Sequence, residues 1–169
     1  MQLFKSLSLI LILCMPIGMA RALELALSEQ QLNNLLQLSF PMQQHYQGYQ
    51  LTFSEPNVQL GSGQQVTVKS YVLAQQQGQK LHASIAIAGQ VHYNASDKVV
   101  EIIKPALTEF RILDNSISQS DQVIQTIKQA VGQQLPLIFL LDMQQINRLL
   151  PGIQPRAIEV RDGKLVLVL

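Results

Sequence analysis

Residues 80–94 read KLHASIAIAGQVHYN. Leu81, Ala83, Ile85, Ile87, Gly89, Val91 and Tyr93 fall on one parity, and small or polar residues fill most of the other. A period of two is the signature of a strand with one face on a core and the other toward water. The run is far longer than the ordinary strand of about 5–6 residues. Turn-forming stretches bound it on both sides, "QGQ" before and "NASDK" after. The segment therefore reads as the middle of an antiparallel meander of long strands.

The neighbours carry the same pattern. "QVTVKSYVLAQQQ" sets Val66, Val68 and Val72 on one face, and "GSGQ" turns the chain before it. Further back, "YQLTFSEPNVQLG" has Leu51 and Phe53 on one parity but Val58 and Leu60 on the other. That switch predicts a bulge or bend at Glu55-Pro56. On the C-terminal side, "KVVEIIKPALTEFRILD" predicts a strand with Val100, Ile102, Ala106, Phe110 and Ile112 on one face, kinked or edged at Pro105. Long antiparallel strands with one apolar face twist and curl around what they cover.

The candidate filler is "SISQSDQVIQTIKQAVGQQLP". Val123, Ile124, Ile127, Ala130 and Val131 line one side of a helix that Pro136 ends. "LPLIFLLD" follows, apolar on both parities, as a buried strand. Two short helices complete the set. In "LSEQQLNNLLQLSFP", Ser28 and Gln31 form a capping box, with Leu27 and Leu32 as the hydrophobic staple. In "LDMQQINRLLPG", Asp142 and Gln145, with Leu141 and Ile146, follow the same recipe. Few solutions exist for a capped amphipathic helix, so the likeness reads as convergence rather than a repeat. The chain closes on "AIEVRDGKLVLVL", where Asp162-Gly163 predicts a two-residue hairpin turn. That turn sets Val160 opposite Leu165 and Ile158 opposite Leu167.

The N-terminus reads differently. Lys5 precedes an apolar run from Leu7 to Met15, Pro16 and Gly18 break it, and Ala20-Arg21-Ala22 follows. This is the layout of a secretory signal peptide, residues 1–22, cleaved after Ala22. The run is about half the length a membrane-spanning helix needs. Cys14 is the single cysteine. A lipid-modified cysteine follows a small residue, and Leu13 stands there instead, so lipidation at Cys14 is the less favoured reading. The expected product is a periplasmic protein of residues 23–169, one domain, with no disulfide. An outer- or inner-membrane lipoprotein is the alternative.

Charge narrows the partners. The chain is 47% hydrophobic and 14% charged, with net charge +1. No basic stripe exists to hold phosphates, so nucleic acid is not an expected partner. Chemistry is scarce as well. His82 and His92 sit ten strand residues apart, about 33 Å, too far to share a metal. His45 lies apart from both, in the "QQHYQGY" connection. Glu101 and Glu109 are about 26 Å apart on a strand, beyond the reach of a glycosidase pair. Asp97, Asp114 and Asp162 read as turn residues, and "NAS" at Asn94 as a hairpin turn rather than a glycosylation site. No nucleophile elbow, phosphate loop or zinc-protease motif occurs. The sequence predicts no enzyme, no metal and no cofactor.

The opening "LSEQQLNNLL", the meander up to "EFRILD", the helix before "LPLIFLLD" and the closing "IEVRDGKLVLVL" resemble the YceB-like family of bacterial envelope proteins, many of them lipoproteins of unknown function. Members of that family look like the tubular lipid-binding (TULIP) superfamily. The resemblance implies an α+β fold in which a long, highly curved antiparallel sheet wraps a long helix and can leave an apolar groove. It brings no catalytic residues. Its functional implication is non-covalent binding of a lipid or other apolar ligand. The candidate groove residues are Leu51, Phe53, Ile85, Ile87, Val91, Phe110, Ile124 and Ile127. The rival expectation is a closed core in an envelope module that binds another protein through a sheet edge or apolar patch.

Overall fold

In the computed structural model, residues 23–118, 120–131, 139–149 and 151–169 are described. The expected signal peptide, residues 1–22, and Cys14 lie outside the described residues, as do Pro136 and the first part of "LPLIFLLD". The fold is α+β, mostly antiparallel sheet. Six strands form the larger sheet in the order β2-β3-β4-β5-β6-β7. They are β2 (Met42–Tyr46), β3 (Tyr49–Leu60), β4 (Gln65–Gln76), β5 (Gln79–Asn94), β6 (Val99–Asn115) and β7 (Phe139–Asp142). A smaller sheet joins β1 (Glu24–Ser28), β9 (Lys164–Val168) and β8 (Ala157–Arg161), in that order. The helices are α1 (Glu29–Gln37), α2 (Ser120–Val131) and α3 (Met143–Leu149).

The meander follows the sequence pattern. Every apolar residue of the expected β5 face except Tyr93 is buried, as are Val66, Val68 and Val72 of β4. The parity switch in β3 is a register shift between Ser54 and Asn57, with Glu55 at φ 51°. Ser70 lies on the buried face of β4 between Val68 and Val72. Its hydroxyl donates to the Ser54 carbonyl at 2.7 Å, beside the bulge. A buried hydroxyl is tolerable there because it has a partner.

β6 departs from expectation in its second half. Val100 and Ile102 are buried, but Ala106 is exposed and Ile112 is 42% exposed. Lys104 has φ 51°, and the β5–β6 register shifts between Ala88 and Gln90 and again between Ala86 and Ile87. Each extra residue reverses which face the following side chains take, so the two shifts move Ala106 off the core face and return Phe110 and Ile112, opposite Ile85 and Ala83, to it. Leu107, on the other parity, packs against the core instead. Asp114, expected in a turn, lies in β6 and pairs with Lys80 at 3.0 Å.

Two strands carry no advance signal: β1, and β2, which holds His45. β2 pairs with β3 from Met42↔Phe53 to Tyr46↔Tyr49 across a Gln47-Gly48 turn in which both residues have positive φ. The C-terminal hairpin is as expected. Asp162 and Gly163 have φ 53° and 66°, and the register pairs Val160 with Leu165 and Ile158 with Leu167.

The larger sheet is open, and α1 lies along part of its edge. Both halves of the capping box form: the Ser28 N–H donates to Gln31 Oε1 at 2.9 Å, and the Gln31 N–H to Ser28 Oγ at 3.3 Å. Leu32 and Leu36 are buried. β2 ends opposite Phe53, so among the described residues the β3 backbone beyond it has no strand partner on that side. There Asn33 Oδ1 accepts the Val58 N–H, its Nδ2 donates to the Val58 carbonyl, and Glu29 Oε1 accepts the Leu60 N–H. The helix also packs against β7. Asp142 caps α3 by accepting the Gln144 N–H at 2.8 Å.

Candidate functional site

The expected groove residues fall into one apolar cluster. Leu51, Phe53, Ile87 and Ile127 are 0% exposed, Ile85 is 1% and Val91 6%. Phe110 and Ile124 are half-buried and pack against the same cluster. The cluster runs from β3 through β4 and β5 to α2, and takes in Leu165 and Leu167 of the smaller sheet. Burial on this scale contributes about 25 cal/mol per Å² of apolar surface removed from water.

α2 meets the cluster through Val123 and Ile127, both 0% exposed, and packs against β5 and β6. Its polar ties run to one residue of the β2–β3 turn. Thr126 Oγ1 donates to Gln47 Oε1 at 3.1 Å, and Gln47 Nε2 donates to Gln129 Oε1 at 3.5 Å. Side-chain packing, not a backbone ladder, holds the helix on the sheet.

A cavity of about 550 Å³ opens beside the β3 bulge, at the last residue of α1. Gln37, Glu55, Lys69, Tyr71, Ser84 and Glu109 supply most of its polar lining. Of the eight candidate groove residues, Ile85 alone borders it. The strand registers explain how these residues meet. Lys69 lies opposite Asn57, Tyr71 opposite both Ser54 and Ser84, and Glu109 opposite Ala86. No sequence spacing carries this convergence, because it depends on three strand pairings at once. Tyr71 also packs against His82, ring centroids 5.6 Å apart and planes tilted by 46°. Glu55, Lys69 and Glu109 form no ion pair among the described residues, so the cavity offers hydrogen-bonding groups of both signs to a polar ligand.

Among the described residues, no three His, Cys, Asp or Glu side chains gather as a metal site would require. Asn94 forms a turn: its Oδ1 accepts the N–H groups of Ser96 and Asp97, and its Nδ2 donates to Asp97 Oδ2 at 2.9 Å. No described helix is long and apolar enough to cross a membrane.

A family model described as a protein of unknown function, DUF1439, matches residues 27–164. That span runs from the residue before the α1 cap to the first residue of β9. No curated protein matches the chain.

Proposed function

We propose, from the premise that this chain belongs to the DUF1439 family of proteins of unknown function, that it is a non-covalent binding module of the bacterial envelope for a lipid or other apolar ligand. In the finer reading it is a YceB-like, TULIP-type protein. An acyl chain would lie between α2 and the apolar face of the larger sheet. The observation that carries this reading is the continuous apolar lining from Leu51 and Phe53 through Ile85 and Ile87 to Ile127, facing a helix held by packing and by Gln47. Each methylene buried there would contribute about 0.8 kcal/mol. Because Leu51, Phe53, Ile87 and Ile127 are fully covered, uptake requires α2 to shift from the sheet. Such a shift breaks no backbone ladder. No catalytic step is part of the proposal.

The same full burial favours a second reading: a closed core in an envelope module whose work is done on its surface. Native mass spectrometry of the exported protein, purified without detergent, separates the two. The binding module is expected to carry a discrete added mass that dissociates as a lipid. A bare polypeptide that also fails to take up a fluorescent fatty-acid probe would overturn the first reading and leave the second. A diacylglyceryl group on Cys14 would reverse the cleaved-leader reading without touching either one.

A further inference from the structure

Among the described residues, the larger sheet has one long edge without a strand partner. Among the described residues, β7 pairs with β6 at Val99, Val100 and Glu101. Beyond Glu101 the second side of β6 carries no strand among the described residues. Exposed strand edges recruit other strands, and proteins blunt them with short strands, prolines, bulges, lysines or covering helices. This chain uses those devices elsewhere. β2 is short, α1 satisfies the β3 edge through Asn33 and Glu29, and Lys104-Pro105 interrupts β6. From Ala106 to Asn115 the sequence is ALTEFRILDN, without proline or lysine, and between the register shifts at Thr108 and Leu113 residues 109–112 run as regular strand. Ile112 and Leu113 are 42% and 46% exposed there, next to each other on the strand.

We propose that β6 pairs antiparallel with β6 of a second copy of this chain, about a two-fold axis at Phe110. In such a pair, symmetry sets residues whose numbers have a constant even sum opposite one another. Over the regular residues 109–112, the register centred on Phe110 sets Glu109 opposite Arg111 twice and Phe110 opposite its own copy. Opposite charges directly across a ladder stabilise it, and like charges destabilise it. The two adjacent symmetric registers set Glu109 against Glu109 or Arg111 against Arg111, so charge selects this one. Among the described residues neither Glu109 nor Arg111 has an ion-pair partner within the chain, whereas nearby Asp114 already has Lys80. On the face that turns to the core, Phe110, its copy and both Ile112 side chains would form one apolar strip across the junction. That strip covers surface which is otherwise half in water. Two six-stranded sheets would become one continuous sheet.

The test is the oligomeric state of the purified protein and of charge-reversed variants, by sedimentation equilibrium. The wild type is expected at twice the chain mass. Arg111→Glu and Glu109→Arg each weaken the dimer at least about tenfold, and the double reversal restores it, which also shows that the variants fold. Oxidised Phe110→Cys is expected to form a disulfide between positions 110 of two copies, because directly opposed antiparallel residues have the required Cα separation. A wild type that stays monomeric up to about 100 µM overturns the proposal. So does a dimer indifferent to both single reversals, or one that the double reversal fails to restore.

Discussion

Gly89 sits on the buried parity of β5, where the alternation by itself calls for an apolar side chain. The reason for glycine lies on the next strand. The β5–β6 register shifts between Ala88 and Gln90 beside the positive φ of Lys104, and a Cβ at position 89 would stand 2.8 Å from the Ile103 carbonyl oxygen. Gly89→Ala is therefore expected to destabilise the fold by about 1–3 kcal/mol, as overpacking does, seen as a lower urea midpoint. The parity of Gly89 was legible in the sequence; its steric cause was not, because it depends on a bulge in a strand it had yet to pair with. Asp114 makes a similar case. Its hydrogen bond to Lys80, with the charge of the same ammonium, holds its carboxyl below the ordinary aspartate value. A carboxyl lowered by folding adds stability above its unfolded pKa, and that contribution is lost as pH falls through the folded value. Both side chains are more than half exposed, so the effect on stability is small. The titration itself is the better readout: in Lys80→Ala, the Asp114 carboxyl followed by NMR is expected to titrate at a higher pH than in the wild type.

At the scale of elements, α1 shows which interactions a sequence discloses. Its capping box joins residues three apart, and both bonds form as the spacing predicts. Its second role joins Asn33 to Val58, 25 residues away, and nothing in "LSEQQLNNLL" distinguishes Asn33 from Asn34 for that task. Asn33→Ala leaves the Val58 N–H and carbonyl without their partner at the sheet edge. The expected cost is about 1–3 kcal/mol, with faster amide exchange at Val58 as the local signature. The strands divide in the same way. β3, β4 and β5 were legible because alternation over a dozen residues or more leaves little ambiguity. β1 and β2 were not. They are five residues each, β2 lacks β-branched residues, and β1 pairs with β9 at the far end of the chain. In β6 the alternation misleads between Ile102 and Phe110, because the positive φ at Lys104 and the register shifts around it turn Ala106 outward and Leu107 inward; Ile112, opposite Ala83, keeps the expected face although it is 42% exposed.

For the whole molecule the question is whether the apolar interior admits a guest. In the sequence, the residues that would touch one stand out by periodicity and by the family resemblance. Periodicity cannot tell a groove from a core, since both need the same side chains on the same face. The polar cavity beside the β3 bulge was beyond reach for another reason: Glu55, Lys69 and Glu109 come from three strands and meet only through the registers. Burial now decides which substitutions are informative. Ile87 is 0% exposed at the centre of the cluster, so Ile87→Asp buries a charge without a partner and is expected to unfold the protein whether or not it binds anything. Ile124 is different. It is half-buried on α2, beside Val123 and near Ile127, and packs on the cluster from its margin. Ile124→Glu is expected to leave the fold intact at a cost of about 1–2 kcal/mol, checked by circular dichroism and urea unfolding. If an acyl chain slides under α2, the new carboxylate borders its path, and affinity for a fluorescent fatty acid should fall at least about tenfold. A folded Ile124→Glu protein that binds the probe as tightly as the wild type would mean that the ligand does not pass under this helix. The polar cavity beside the β3 bulge would then be the place to seek it.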